Sequence, residues 1–123
     1  SRNVMDADAQ ITVALERMQR DIRQVRSPTD VITIGATQFV FKNTSGSTIT
    51  YSLSGNSLMR QTNAGTSQVL ADGIQSLALT YFDNNLTTTA TAANVRYVTI
   101  NFTIILNNTN FNVKSSVYLR DLS

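Results

Sequence analysis

Over residues 4–26 the apolar positions recur at helical spacing: Ile11, Leu15, Met18, Ile22 and Val25 follow one another at alternating steps of four and three. This pattern predicts one amphipathic helix with these five side chains on its packing face. Glu16, Arg17, Gln19, Arg20, Asp21, Arg23 and Gln24 then face outward, with Glu16 and Arg20 at the spacing of a favourable i,i+4 ion pair. Asp6 and Asp8 come early and Arg20, Arg23 and Arg26 late, the order that the helix dipole favours. At about 1.5 Å per residue such a helix spans about 35 Å, which is long for a small domain. Ser27-Pro28 ends it, because proline disfavours helical backbone in the residue before it.

Beyond Pro28 the period changes to two, and residues 31–34, 38–43, 48–54 and 57–61 read as strands. Phe39 and Phe41 share a face of the second, and Ile49, Tyr51 and Leu53 share a face of the third. Asn-Thr-Ser-Gly-Ser between them is a hairpin turn in which Gly46 supplies a positive φ, and Gly55-Asn56 turns the chain again. A β-meander is the simplest topology. The stretch 68–74 is ambiguous between a helical turn and a strand edge. Leu77, Leu79 and Tyr81 then alternate up to Asp83-Asn84-Asn85, and a Thr- and Ala-rich loop runs to Asn94. The strongest strands come last: Val98, Ile100, Phe102 and Ile104 on one face, then Val113, Ser115, Val117 and Leu119 after Asn-Asn-Thr-Asn. The expected fold class is therefore α+β, a long N-terminal amphipathic helix packed against antiparallel β-sheet. Residues 1–123 read as a single domain, with 1–28 the helix and 29–123 the sheet.

Composition narrows the chemistry. At 123 residues, 41% hydrophobic and 15% charged, the chain is of a size and polarity to fold around one core. Its polar part is dominated by Thr, Ser and Asn, which suits β-rich extracytoplasmic proteins. Cysteine and histidine are absent. That removes disulfides, thiolate nucleophiles, thiolate or imidazole metal sites and the side chain best suited to proton transfer near neutral pH. Ten basic against eight acidic residues, a net charge of +2, imply no nucleic-acid partner. No run approaches the ~20 apolar residues of a spanning helix, and the opening Ser-Arg-Asn-Val-Met-Asp lacks the apolar core of a signal peptide. The chain as it stands reads as soluble and, lacking an initiator methionine, as a processed or truncated product.

The remaining ionisable candidates, Lys42, Lys114, Asp72 and Asp83, form no catalytic motif. Lys114 and Ser115 point to opposite faces of an alternating strand, so they make no dyad. The five glycines are scattered as turn residues rather than gathered in a phosphate loop. Asp83, Asn84 and Asn85 are the one candidate for a metal, calcium, through carboxylate and amide oxygens; the same tripeptide is a common turn, and a full site needs several more oxygens. No other cofactor is expected, and no enzyme. Arg17, Arg20, Arg23 and Arg26 drift round the helix rather than lining an anion strip. The heptad-like period of Ile11 to Val25 allows a coiled coil with another chain, but the strands need a cover and this is the one long helix.

Three stretches carry a family resemblance: residues 14–28 (ALERMQRDIRQVRSP), residues 49–83, and residues 95–104 with 113–122 (VRYVTINFTI and VKSSVYLRDL). In order they give a Leu-x-Arg strand, then Leu-Ala-Asp-Gly-Ile, an alternating strand ending in Tyr-Phe-Asp, and a final strand closing in Leu-Arg-Asp-Leu. The chain resembles the type IV pilin-like superfamily, in particular its minor subunits: the J-type minor pseudopilins of type II secretion and the related minor pilins of type IV pili. The resemblance implies a non-catalytic filament subunit near the tip, where minor subunits associate through their helices and help initiate assembly. It implies an inner-membrane anchor and methylated N-terminus upstream of Ser1, with the globular domain periplasmic or extracellular; residues 1–26 look like the continuation of that helix. Partners would be other minor pilins or pseudopilins, and secreted cargo or a surface ligand at the tip. The outer part of the helix and the loop from Thr87 to Asn94 are expected to meet neighbouring subunits. Two alternatives stand beside it: a pilus minor pilin in adhesion or DNA uptake, and a free-standing extracellular β-rich module that binds polysaccharide.

Overall fold

The computed structural model describes residues 4–119, with side chains from residue 9 onward. The side chains of Val4, Asp6 and Asp8, and the Arg-Asp-Leu that closes the last motif, lie outside the described residues. The expected long helix on one antiparallel sheet is not what the chain adopts. Strand accounts for 50% of it and helix for 18%. Helix α1 (Val4–Ile22) has 19 residues. The strands divide between two antiparallel sheets rather than forming one.

The first sheet is a meander of β1 (Val31–Ile34), β2 (Gln38–Lys42), β3 (Thr48–Ser54), β4 (Ser57–Thr62) and β5 (Gln68–Ala71), in sequence order. The second is a meander of β6 (Ile74–Phe82), β7 (Tyr97–Leu106) and β8 (Thr109–Tyr118). The break between sheets falls at Asp72-Gly73, where Gly73 has φ +74°. That left-handed conformation is open to glycine at little cost, and it lets β6 leave the plane of β5. Period-two alternation tells which face a residue occupies but not which strand it pairs with, so it could not separate the two sheets.

Short turns fix the registers. Gly46 has φ +80°, and the Asn43 side-chain oxygen accepts from the amides of Ser45 and Ser47, both at 3.0 Å. Asn107 and Asn108 have φ of +51° and +62°, the paired positive values of a two-residue turn whose twist suits a β-hairpin. Leu106 and Thr109 are therefore direct partners across β7 and β8.

The helix also ends earlier than proline alone would dictate. Gln24 and Val25 donate to the carbonyls of Asp21 and Ile22, each at 3.1 Å, and these i→i−3 bonds tighten the last turn. The tightening carries Val25 into the core, where it is fully buried.

Both sheets and the helix share one core. Phe39, Phe41, Ile49, Tyr51 and Leu58 come from the first sheet, and Leu79, Val98, Ile100, Phe102 and Val117 from the second. Phe39 meets Tyr81 edge-on at 5.2 Å, and the Tyr81 hydroxyl donates to the Gly35 carbonyl at 2.8 Å. The Leu79 amide donates to the Ala36 carbonyl at 2.8 Å, a second tie between the sheets.

Candidate functional site

The helix reaches the strands through a stripe and one buried charge. Ile11, Met18, Ile22 and Val25 are buried, Leu15 is only half-buried, and Ala14 is buried beside it.

Asp21, expected to face outward, is 4% exposed. Its Oδ2 accepts from the Tyr51 hydroxyl at 2.5 Å and from Arg60 Nε at 2.8 Å, with Arg17 Nε at 3.6 Å. Tyr51 and Arg60 are direct partners on β3 and β4, so the pairing of two strands sets both donors against one carboxylate of the helix. Arg60 is held further by Thr62 Oγ1, which accepts from it at 3.0 Å. Charge-assisted bonds of this kind satisfy a carboxylate taken out of water, which otherwise carries a large desolvation cost. Among the described residues Glu16 and Arg20 form no ion pair; the i,i+4 pair of this helix is Arg17 with Asp21.

The cluster alters titration as well as packing. Burial raises the Tyr51 hydroxyl well above its ordinary value, and the hydrogen bond to Asp21 and the Asp21 charge push the same way against the opposing Arg60. For Arg60, burial pulls downward, but Asp21 outweighs it and the net shift is upward. Burial also raises Tyr81. An unfolded tyrosine ionises near pH 10, whereas these two keep their protons in the folded chain. Above that pH the folded state binds more protons than the unfolded, so stability present below pH 10 is lost as pH rises. Each of the two should contribute a slope of about 1.4 kcal/mol per pH unit. Denaturant melts at successive pH values above 10 check this: Tyr51→Phe and Tyr81→Phe should each flatten the slope, and slopes equal to the parent's would refute it.

Two further contacts tie the helix down. Gln19 Nε2 donates to Ser115 Oγ on β8, and Gln10 Oε1 accepts from the Asp72 amide at 3.2 Å. The flank of the helix beside β5 is open. Val13 is 65% exposed and borders a shallow hollow of about 190 Å3 with Glu16, Arg17, Arg20 and Leu70.

The calcium candidate lies in a tight turn. Asp83 Oδ1 accepts from the amides of Asn85 at 2.8 Å and Thr87 at 3.0 Å, which makes it the anchor of a turn. Asn84 and Asn85 are exposed beside it. No group of three acidic, cysteine or histidine side chains suited to a metal occurs among the described residues. Asp72 accepts from the Ser57 hydroxyl at 2.6 Å, and Lys42 and Lys114 are exposed on separate strands, so the ionisable candidates are not brought together. The loop from Thr87 to Asn94 is mostly exposed and ends in a 3-10 turn (Ala92–Asn94), pinned by the buried Val95.

Asp21 and Ala14 are buried positions that lie outside the apolar stripe. Ala14, Met18, Asp21 and Val25 stand at steps of four, three and four, so the period already put Asp21 on the inner face. No helix among the described residues is long and apolar enough to cross a membrane. No protein-family model matches the chain, and no curated protein matches it in sequence.

Proposed function

We propose that the chain is a non-catalytic structural subunit of a type IV filament, a minor pseudopilin of a type II secretion pseudopilus that acts in the complex initiating assembly. What supports this reading is that the three stretches resembling that superfamily converge on one set of contacts. Asp21 from the first is bonded to Tyr51 and Arg60 from the second, and Gln19 from the first to Ser115 from the third. Residues that carry the likeness thus do shared work in holding the helix. The open side of the helix around Val13 offers an apolar spot ringed by charge, the make-up of a surface that meets a neighbouring helix. On this reading the full-length protein is anchored in the inner membrane and its globular domain lies outside the cytoplasm.

Gene deletion in the source organism, with filaments and secreted protein as readouts, tests the proposal. Deletion should abolish assembly, and a copy carrying Val13→Asp, a change at an exposed position that leaves the core intact, should fail to restore it. Filaments and secretion that persist without the gene would overturn the assignment.

A further inference from the structure

The outward face of the second sheet differs from the rest of the surface. Phe82, Tyr97 and Tyr118 are register partners in one row across β6, β7 and β8, with successive ring centroids 5.6 and 4.4 Å apart. Tyr118 at the edge is 62% exposed. The next row is all hydroxyl: Thr80, Thr99 and Ser116. In the row beyond, Asn101 stands directly opposite Lys114. Tyr97 and these hydroxyl and amide side chains border an open hollow of about 450 Å3, and none of the described residues lining it is acidic.

One atom there is out of balance. Asn101 Oδ1 is shielded from solvent yet has no hydrogen-bond partner among the described residues, a condition that folded proteins seldom tolerate without a use. Lys114 across from it is exposed and in no ion pair among the described residues, so its long stem is free to move aside and its ammonium free to meet an anion.

We propose that this face binds an acidic glycan. A sugar ring has an apolar side that lies on Tyr97 and Tyr118, and hydroxyls that both donate and accept, as the Thr80, Thr99 and Ser116 row requires. One hydroxyl donates to Asn101 Oδ1, and a uronate carboxylate pairs with Lys114. A single lysine is too little charge to track a nucleic-acid backbone. A peptide adding itself as a strand would seek the edge of β8 rather than a face whose backbone is already paired.

The test is a titration of isotope-labelled protein with hexagalacturonate, and separately with cellohexaose, followed by amide chemical shifts. Amides of residues 97–101 and 114–118 should move, with hexagalacturonate the tighter ligand. Tyr118→Ala should weaken binding about tenfold without lowering the melting temperature appreciably. Lys114→Gln should abolish the preference for the acidic sugar while retaining cellohexaose binding. Absence of shifts with both sugars, shifts confined to other surfaces, or unchanged affinity in Tyr118→Ala would each overturn the proposal.

Discussion

Replacing Asp21 with alanine is expected to destabilise the domain by about 3–5 kcal/mol, because the change strands the guanidinium of Arg60, 11% exposed, with no opposing charge at 2.8 Å. Tyr51, fully buried, loses its acceptor in the same step. The cost arises from what is left behind rather than from the bond removed, and a double replacement makes the distinction. Asp21→Leu with Arg60→Met removes both charges and substitutes apolar volume, so it should recover most of the loss. Chemical denaturation of the single and double variants measures both. A single-variant loss below about 1 kcal/mol, the range of exposed ion pairs, would mean that the cluster is not shielded from water.

Met18→Asp should abolish cooperative folding. Met18 is fully buried between helix and strands, and an unpaired carboxylate there costs several kcal/mol whether it stays charged or takes up a proton. Against a typical domain stability of about 5–15 kcal/mol, with the lost packing of a methionine added, little margin remains. Met18→Leu, which keeps volume and polarity, should cost less than about 1.5 kcal/mol. Near-ultraviolet circular dichroism with a thermal melt reports on both, and an unchanged melting temperature in Met18→Asp would refute the assigned core position.

Local rules made much of the strand content legible. Alternation placed Phe39 with Phe41 and Ile49 with Tyr51 on buried faces, and the turns at Gly46 and at Asn107-Asn108 follow from residues that accept positive φ. Partner choice was not legible. Nothing in the period of β5 or β6 says that the sheet divides at Gly73, because that outcome depends on where distant strands can pack. The helix stripe misled through size and charge: Leu15 outweighs Ala14 in apolar surface, yet Ala14 is the buried one and Leu15 only half-buried. Asp21 lies in a run of arginines and reads as solvated until Tyr51 and Arg60, 30 and 39 residues away, supply its partners.

The helix is fastened at spaced points along its length: Gln10 to the chain at Asp72, Gln19 to β8, and Asp21 to β3 and β4. A pull applied along its axis therefore loads these anchors side by side rather than peeling them one after another. Resistance to tension along the helix then depends on breaking attachments to both sheets together rather than on any one of these hydrogen bonds.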